Sequence, residues 1–139
     1  MPEDTIKSGT EEGKAESGEE TILVVEDEPF IRQLVIDSLQ PLGYRLLEAS
    51  CGREALQICK TTERDIDLLL TDMTMPEMNG RELADAVRKN RSSIKIIFMS
   101  GYMDEAIVQH DMLDKSMNFL QKPFTPGKLV SIINAVLKK

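Results

Sequence analysis

From Thr21 onward, short unbroken apolar runs alternate with stretches whose apolar residues recur every three or four positions. The unbroken runs are Ile22-Leu23-Val24-Val25, Leu68-Leu69-Leu70-Thr71 and Ile96-Ile97-Phe98-Met99, the last two within strands that start at Ile66 and Ile94, and, less cleanly, Met117-Asn118-Phe119-Leu120. Such runs suit strands buried on both faces. Tyr44 to Glu48 reads as a further short strand, and Arg45 places it near a sheet edge. The intervening segments read as helices. Pro29 stands at a good first-turn position, and Phe30, Leu34, Val35 and Leu39 then mark an apolar face that ends near Pro41 and Gly43. Gly52 to Thr62 carries Ala55, Leu56 and Cys59, and Leu83, Ala84 and Val87 follow Gly80. Asp104 to about Met112 is a weaker helix, and Leu129, Ile132, Ile133, Val136 and Leu137 form a clean helical stripe. Five strands alternating with five helices over short connections predict an α/β fold with helices on both faces of a parallel sheet. At this size the expected architecture is flavodoxin-like and doubly wound, with five strands in the order 2-1-3-4-5.

Residues 1 to 20 break this pattern. They carry seven acids and two lysines among Gly and Ser, a balance of −5 within a total of −7. A segment this polar buries too little apolar surface to offset its ordering entropy, so it is expected to be a flexible acidic tail or linker, with the folded domain at 21–139. The domain itself is nearly balanced in charge and has no basic stripe, which argues against direct nucleic-acid binding. No run reaches the roughly 20 apolar residues of a membrane span, and no secretory h-region precedes the domain. A cytoplasmic domain without membrane contact is expected. Cys51 and Cys59 form no CxxC pair and read as packing thiols. His110 is the sole histidine and reads as a helix-surface residue.

The polar residues that end the apolar runs carry the chemistry. They are Glu26-Asp27, Asp72, Ser100 and Lys122. In a parallel sheet all of them emerge at the carboxyl edge, where open sheets of this kind bind ligands. Three acids in a row, Glu26-Asp27-Glu28, are costly to gather without a balancing cation, and hard oxygen donors favour Mg²⁺ or Mn²⁺. Glu28 is explained equally well by the dipole at a helix N-terminus. A carboxylate such as Asp72 can act as a nucleophile toward phosphorus, and a metal with a lysine supplies the charge neutralisation that phosphoryl transfer requires. Taken singly, Asp72 also fits a turn-capping aspartate, Ser100 an N-cap and Lys122 a solvated lysine. It is their convergence that points to phosphoryl chemistry.

The segments Ile22-Leu-Val-Val-Glu-Asp-Glu28, Leu69-Leu-Thr-Asp-Met-Thr-Met-Pro-Glu-Met-Asn-Gly80, Phe98-Met-Ser-Gly101 and Phe119-Leu-Gln-Lys-Pro-Phe124 resemble the receiver domain of two-component response regulators, the CheY-like fold. The likeness runs from about 21 to 138. It implies that Asp72 is the phosphoacceptor and that Asp27 ligates the metal directly while Glu26 acts through water. It further implies that the Thr74 backbone carbonyl completes the metal site, that Lys122 binds the phosphoryl group, and that Ser100 and Phe119 form the switch pair. Glu26 stands where Asp is commoner, and Phe119 where Tyr is frequent. Text around Phe98 to Ile107 and Phe119 to Pro126 further resembles receivers joined to the C-terminus of hybrid sensor histidine kinases.

The resemblance implies a partner histidine kinase or histidine phosphotransfer domain as donor, and a downstream protein that reads a repacked surface. The domain would act as a signalling phosphoacceptor that promotes its own phosphorylation and dephosphorylation rather than as a turnover enzyme. Two rival readings remain at this level. A phosphorylation-independent binding module could use the same fold, although an incomplete acid set would suit it better. An aspartyl phosphatase would need a second acid two residues after its nucleophile, where Thr74 stands.

Overall fold

The computed structural model describes residues 20–101 and 118–137. In chain order the elements are β1 (Thr21–Val25), α1 (Pro29–Leu39), a 3₁₀ turn (Gln40–Leu42), β2 (Arg45–Ala49) and α2 (Gly52–Thr61). They continue with β3 (Leu68–Asp72), α3 (Gly80–Asn90), β4 (Lys95–Ser100), β5 (Asn118–Gln121) and α4 (Pro126–Leu137). All strand pairs are parallel, and the sheet order is β2-β1-β3-β4-β5, the expected 2-1-3-4-5 winding. The helix expected at Asp104 to Met112, His110, Tyr102, Met117 and residues 1–19 of the expected tail lie outside the described residues.

The unbroken apolar runs are explained by two cores, one on each face. Side chains alternate across a strand, so Ile22, Val24, Leu68, Leu70, Ile97 and Met99 turn to one face. There α1 covers them with Val35, Ile36 and Leu39, and α4 with Leu129, Ile133 and Val136. Leu23, Val25, Leu69, Ile96 and Phe98 turn to the other face, under Ala55 of α2 and Leu83, Ala84 and Val87 of α3. The central strands β1 and β3 are buried at every position. β2 is an edge strand, as Arg45 suggested, and Arg45 is exposed. Gly43 closes the 3₁₀ turn at φ 93°, a left-handed conformation that glycine adopts without steric cost.

One expectation for α1 is corrected. Phe30 was placed on the packing face but is 82% exposed. It stands five, six and nine residues before Val35, Ile36 and Leu39, and at 3.6 residues per turn these offsets put it on the opposite side of the helix. The stripe that packs is Val35, Ile36 and Leu39, with Arg32 one turn before it on the same side.

Candidate functional site

The strand register brings the polar residues together. Val25 of β1 pairs with Thr71 of β3, so Glu26 and Asp72 emerge side by side. Asp72 pairs with Met99 of β4, one residue before Ser100, and Ser100 pairs with Gln121 of β5, one residue before Lys122. Backbone bonds extend the ladder past the strands: Met73 N–H donates to the Met99 carbonyl at 2.8 Å, and Lys122 N–H to the Ser100 carbonyl at 2.8 Å.

Glu26 is fully buried at 0% exposure and Asp72 nearly so at 5%. The Lys122 ammonium stands between them, 2.9 Å from Glu26 Oε1 and 3.2 Å from Asp72 Oδ2. The other Glu26 oxygen, Oε2, accepts the Glu28 N–H at 3.0 Å. Carboxylate oxygens of Glu26, Asp27 and Asp72 lie within 4.8 Å of one another. Asp27 itself is exposed, at the mouth of the site. Burial, and secondarily the negative charge of Glu26, push the Asp72 carboxyl up to about 7, against the opposing pull of Lys122. Burial works against the Lys122 ammonium, but Glu26 and Asp72 outweigh it and hold the lysine above its usual value.

Three acids facing one ammonium leave negative charge unbalanced in a largely buried place. Glu26 Oε1 is buried and accepts no hydrogen bond that would add to its ion pair with Lys122. An all-oxygen donor set with surplus negative charge fits a hard divalent cation.

Of the other expected residues, Thr74 is exposed two positions beyond Asp72, Ser100 is buried, and Phe119 is half-buried with its ring stacked on Phe98 at a centroid distance of 5.6 Å. The Lys122–Pro123 peptide is cis. Glu28 is the N-cap of α1 but makes no side-chain cap; its backbone carbonyl accepts the Arg32 N–H at 2.9 Å.

Two neighbours of the site went unread in the sequence. Arg32 Nη1 donates to the Glu26 carbonyl at 2.7 Å, and Arg32 Nε pairs with Glu48 Oε1 at 3.3 Å. A cation three and four residues before the buried Val35 and Ile36 was its signal, since a charge on a buried stripe requires a partner. Gly80 packs so closely beneath the loop after Asp72 that a methyl group there would meet the Asp72 carbonyl oxygen, and its N–H donates to the Met73 carbonyl at 2.8 Å. Only the segment's length and a lone Gly at a helix start hinted at this.

An acid cluster with a lysine at the carboxyl edge of a doubly wound sheet defines a class of phosphoryl-handling signalling domains. The family model for the response regulator receiver domain matches residues 22–134. The chain is 38% identical over 123 residues to the sensor kinase CckA of Brucella abortus, a match that covers 88% of this chain but only 13% of that protein. It is 35% identical over 118 residues to the chemotaxis protein CheY of Thermotoga maritima, with 84% of this chain and 97% of that one covered. Among solved structures, the receiver domain from the hybrid histidine kinase CckA superposes with a TM-score of 0.70 at 30% identity, with 84% of this chain and 98% of that chain covered.

The chain belongs to the response regulator receiver domain family. It is a phosphoacceptor module of two-component signalling, and such domains work with histidine kinases or phosphotransfer proteins. Among the described residues, no helix is long and apolar enough to cross a membrane.

Proposed function

We propose that Asp72 accepts a phosphoryl group from the phosphohistidine of a kinase or phosphotransfer domain. The observation that carries this reading is the position of Lys122, within 3.2 Å of both buried carboxylates, Glu26 and Asp72. An Asp72 oxygen attacks phosphorus as the bond to the histidine nitrogen breaks, and the product is an acyl phosphate. Asp27, Asp72 and the Thr74 carbonyl would hold Mg²⁺, or Mn²⁺ in its place, with Glu26 acting through water. Bound there, the cation would neutralise charge on the phosphoryl oxygens during transfer.

Lys122 then binds a phosphoryl oxygen, and the Ser100 hydroxyl donates to another. Movement of Ser100 toward the phosphoryl group opens room beside β5, and Phe119 leaves its place against Phe98 and turns inward. Phosphorylation thereby favours one of two packings of β5 and α4, which a downstream partner reads. Water later hydrolyses the acyl phosphate. A module indifferent to phosphorylation would gain nothing from a fully buried glutamate and a nearly buried aspartate, both costly to hold charged.

Residues 21–139 would form the receiver and residues 1–20 a tether. Similarity to the CckA sensor kinase supports a place within a hybrid kinase. The test is intact-mass spectrometry after incubation with acetyl phosphate, with and without Mg²⁺. A gain of one phosphoryl group is expected only with Mg²⁺, and none in Asp72→Asn. A gain that survives in Asp72→Asn would overturn the assignment of the acceptor.

A further inference from the structure

Arg32 lies in the second turn of α1, on the side that packs against the sheet, with its side chain 22% exposed. Three elements meet on it. Its backbone N–H donates to the Glu28 carbonyl in the first turn of the helix at 2.9 Å. Its Nη1 donates at 2.7 Å to the Glu26 carbonyl, the oxygen of the peptide unit that joins Glu26 to Asp27. Its Nε is braced at 3.3 Å by Glu48 near the end of β2.

The position is unfavourable by charge alone. A fixed guanidinium beside an acid cluster repels any cation that the cluster is to bind. Its contribution is therefore geometric. A charged donor on a carbonyl is among the stronger hydrogen bonds, and the rigid guanidinium fork can grip the carbonyl and Glu48 together. The peptide held in this way sets the directions of both flanking side chains, the buried Glu26 and the exposed Asp27.

We propose that Arg32 is a positioning residue of the acid cluster: braced by Glu48, it fixes the Glu26–Asp27 peptide so that Asp27 presents its carboxylate toward Asp72. This rests on the cation-binding reading of the cluster.

Charge and geometry predict opposite signs, which makes the test decisive. Mg²⁺ is titrated by isothermal calorimetry into wild type, Arg32→Ala, Arg32→Lys and Asp27→Asn, all unphosphorylated, with urea unfolding as a control for folding. If Arg32 acts by position, Arg32→Ala binds Mg²⁺ about 10-fold more weakly, the scale expected for loss of an outer-shell partner. Arg32→Lys is weakened as well, because one ammonium cannot span both partners. If Arg32 acts only as a charge, Arg32→Ala binds more tightly and Arg32→Lys within twofold of wild type, and either result overturns the proposal. Should Arg32→Ala fail to fold, Arg32→Lys decides by the same criterion. Wild type that binds no Mg²⁺, or Asp27→Asn that binds as well as wild type, overturns the cation reading itself, and the role of Arg32 falls with it.

Discussion

Glu26 and Lys122 are joined by an ion pair of 2.9 Å whose acid is wholly shielded from water. Removing one partner of such a pair leaves a charge buried without compensation, which is more damaging than losing the pair as a unit. Lys122→Met is therefore expected to destabilise the metal-free domain by about 2–4 kcal/mol in urea unfolding. A divalent cation should restore part of that loss, since it binds the folded state and not the unfolded one. Equal loss with and without Mg²⁺ would sever the lysine from the acid cluster.

Asp72 has a pH signature of its own. Its carboxyl is raised from 3.8 to about 7, chiefly by burial. The folded state thus holds this proton more tightly than the unfolded state does. By linkage, stability falls as pH rises from about 4 to about 7, and the penalty is complete above that range. Asp72→Asn removes the charge, so in metal-free buffer at pH 8 it should unfold at higher urea than wild type, by about 1–3 kcal/mol. The difference should vanish near pH 4. A variant less stable than wild type at pH 8 would contradict the burial of a charged Asp72.

Arg91 closes the opposite end of the fold. Its Nη2 donates to the carbonyls of Cys59 at 3.1 Å and Thr62 at 2.9 Å, and its Nη1 to that of Arg64 at 3.1 Å. These lie at and just past the end of α2, where helix carbonyls lack internal partners. Arg91→Ala is expected to cost about 2 kcal/mol. Arg91→Lys should recover less than half of this, because an ammonium cannot reach three carbonyls at once. Mg²⁺ affinity, measured alongside, should stay unchanged in both variants.

At Gly80 two effects compete. Helix propensity alone predicts that Gly80→Ala stabilises by up to about 1 kcal/mol. The new methyl group, however, meets the Asp72 carbonyl and the Met73 backbone, and backbone cannot yield as a side chain can. Overpacking of this kind costs about 1–3 kcal/mol. Net destabilisation is expected, together with slower phosphorylation by acetyl phosphate, if Asp72 is the acceptor as proposed, because its position shifts. A more stable variant with unchanged kinetics would show that the loop has room to move.

The parts legible in the sequence were those set by local pattern. Unbroken apolar runs marked β1, β3 and β4, and the polar residues that ended them, Glu26, Asp72 and Ser100, were brought to one edge because parallel strands share a direction. Relations between distant positions were not legible. The bracing of Arg32 by Glu48 spans two elements, the Arg91 contacts reach back about thirty residues, and the approach of Gly80 to Asp72 depends on how the loop 73–79 folds. Phe30 was misread because an apolar residue at the helix start was joined to the packing face, although a period of 3.6 sets it opposite Val35, Ile36 and Leu39.

The start of α3 has a consequence for how the family can diversify. Asn79 Oδ1 accepts the Glu82 N–H at 2.8 Å while Glu82 Oε1 accepts the Asn79 N–H at 3.0 Å, so the first turn is closed by its own residues. From residues 73–78 the Met73 backbone adds to this cap, its carbonyl accepting the Gly80 N–H at 2.8 Å. These caps rest on Asn79, Glu82 and main-chain atoms, so side-chain substitutions at Thr74 and Pro76 leave them in place. The side chains beside Asp72 can thus vary while the scaffold stays the same, which makes this short stretch a place where the rim of the site can drift independently of the fold.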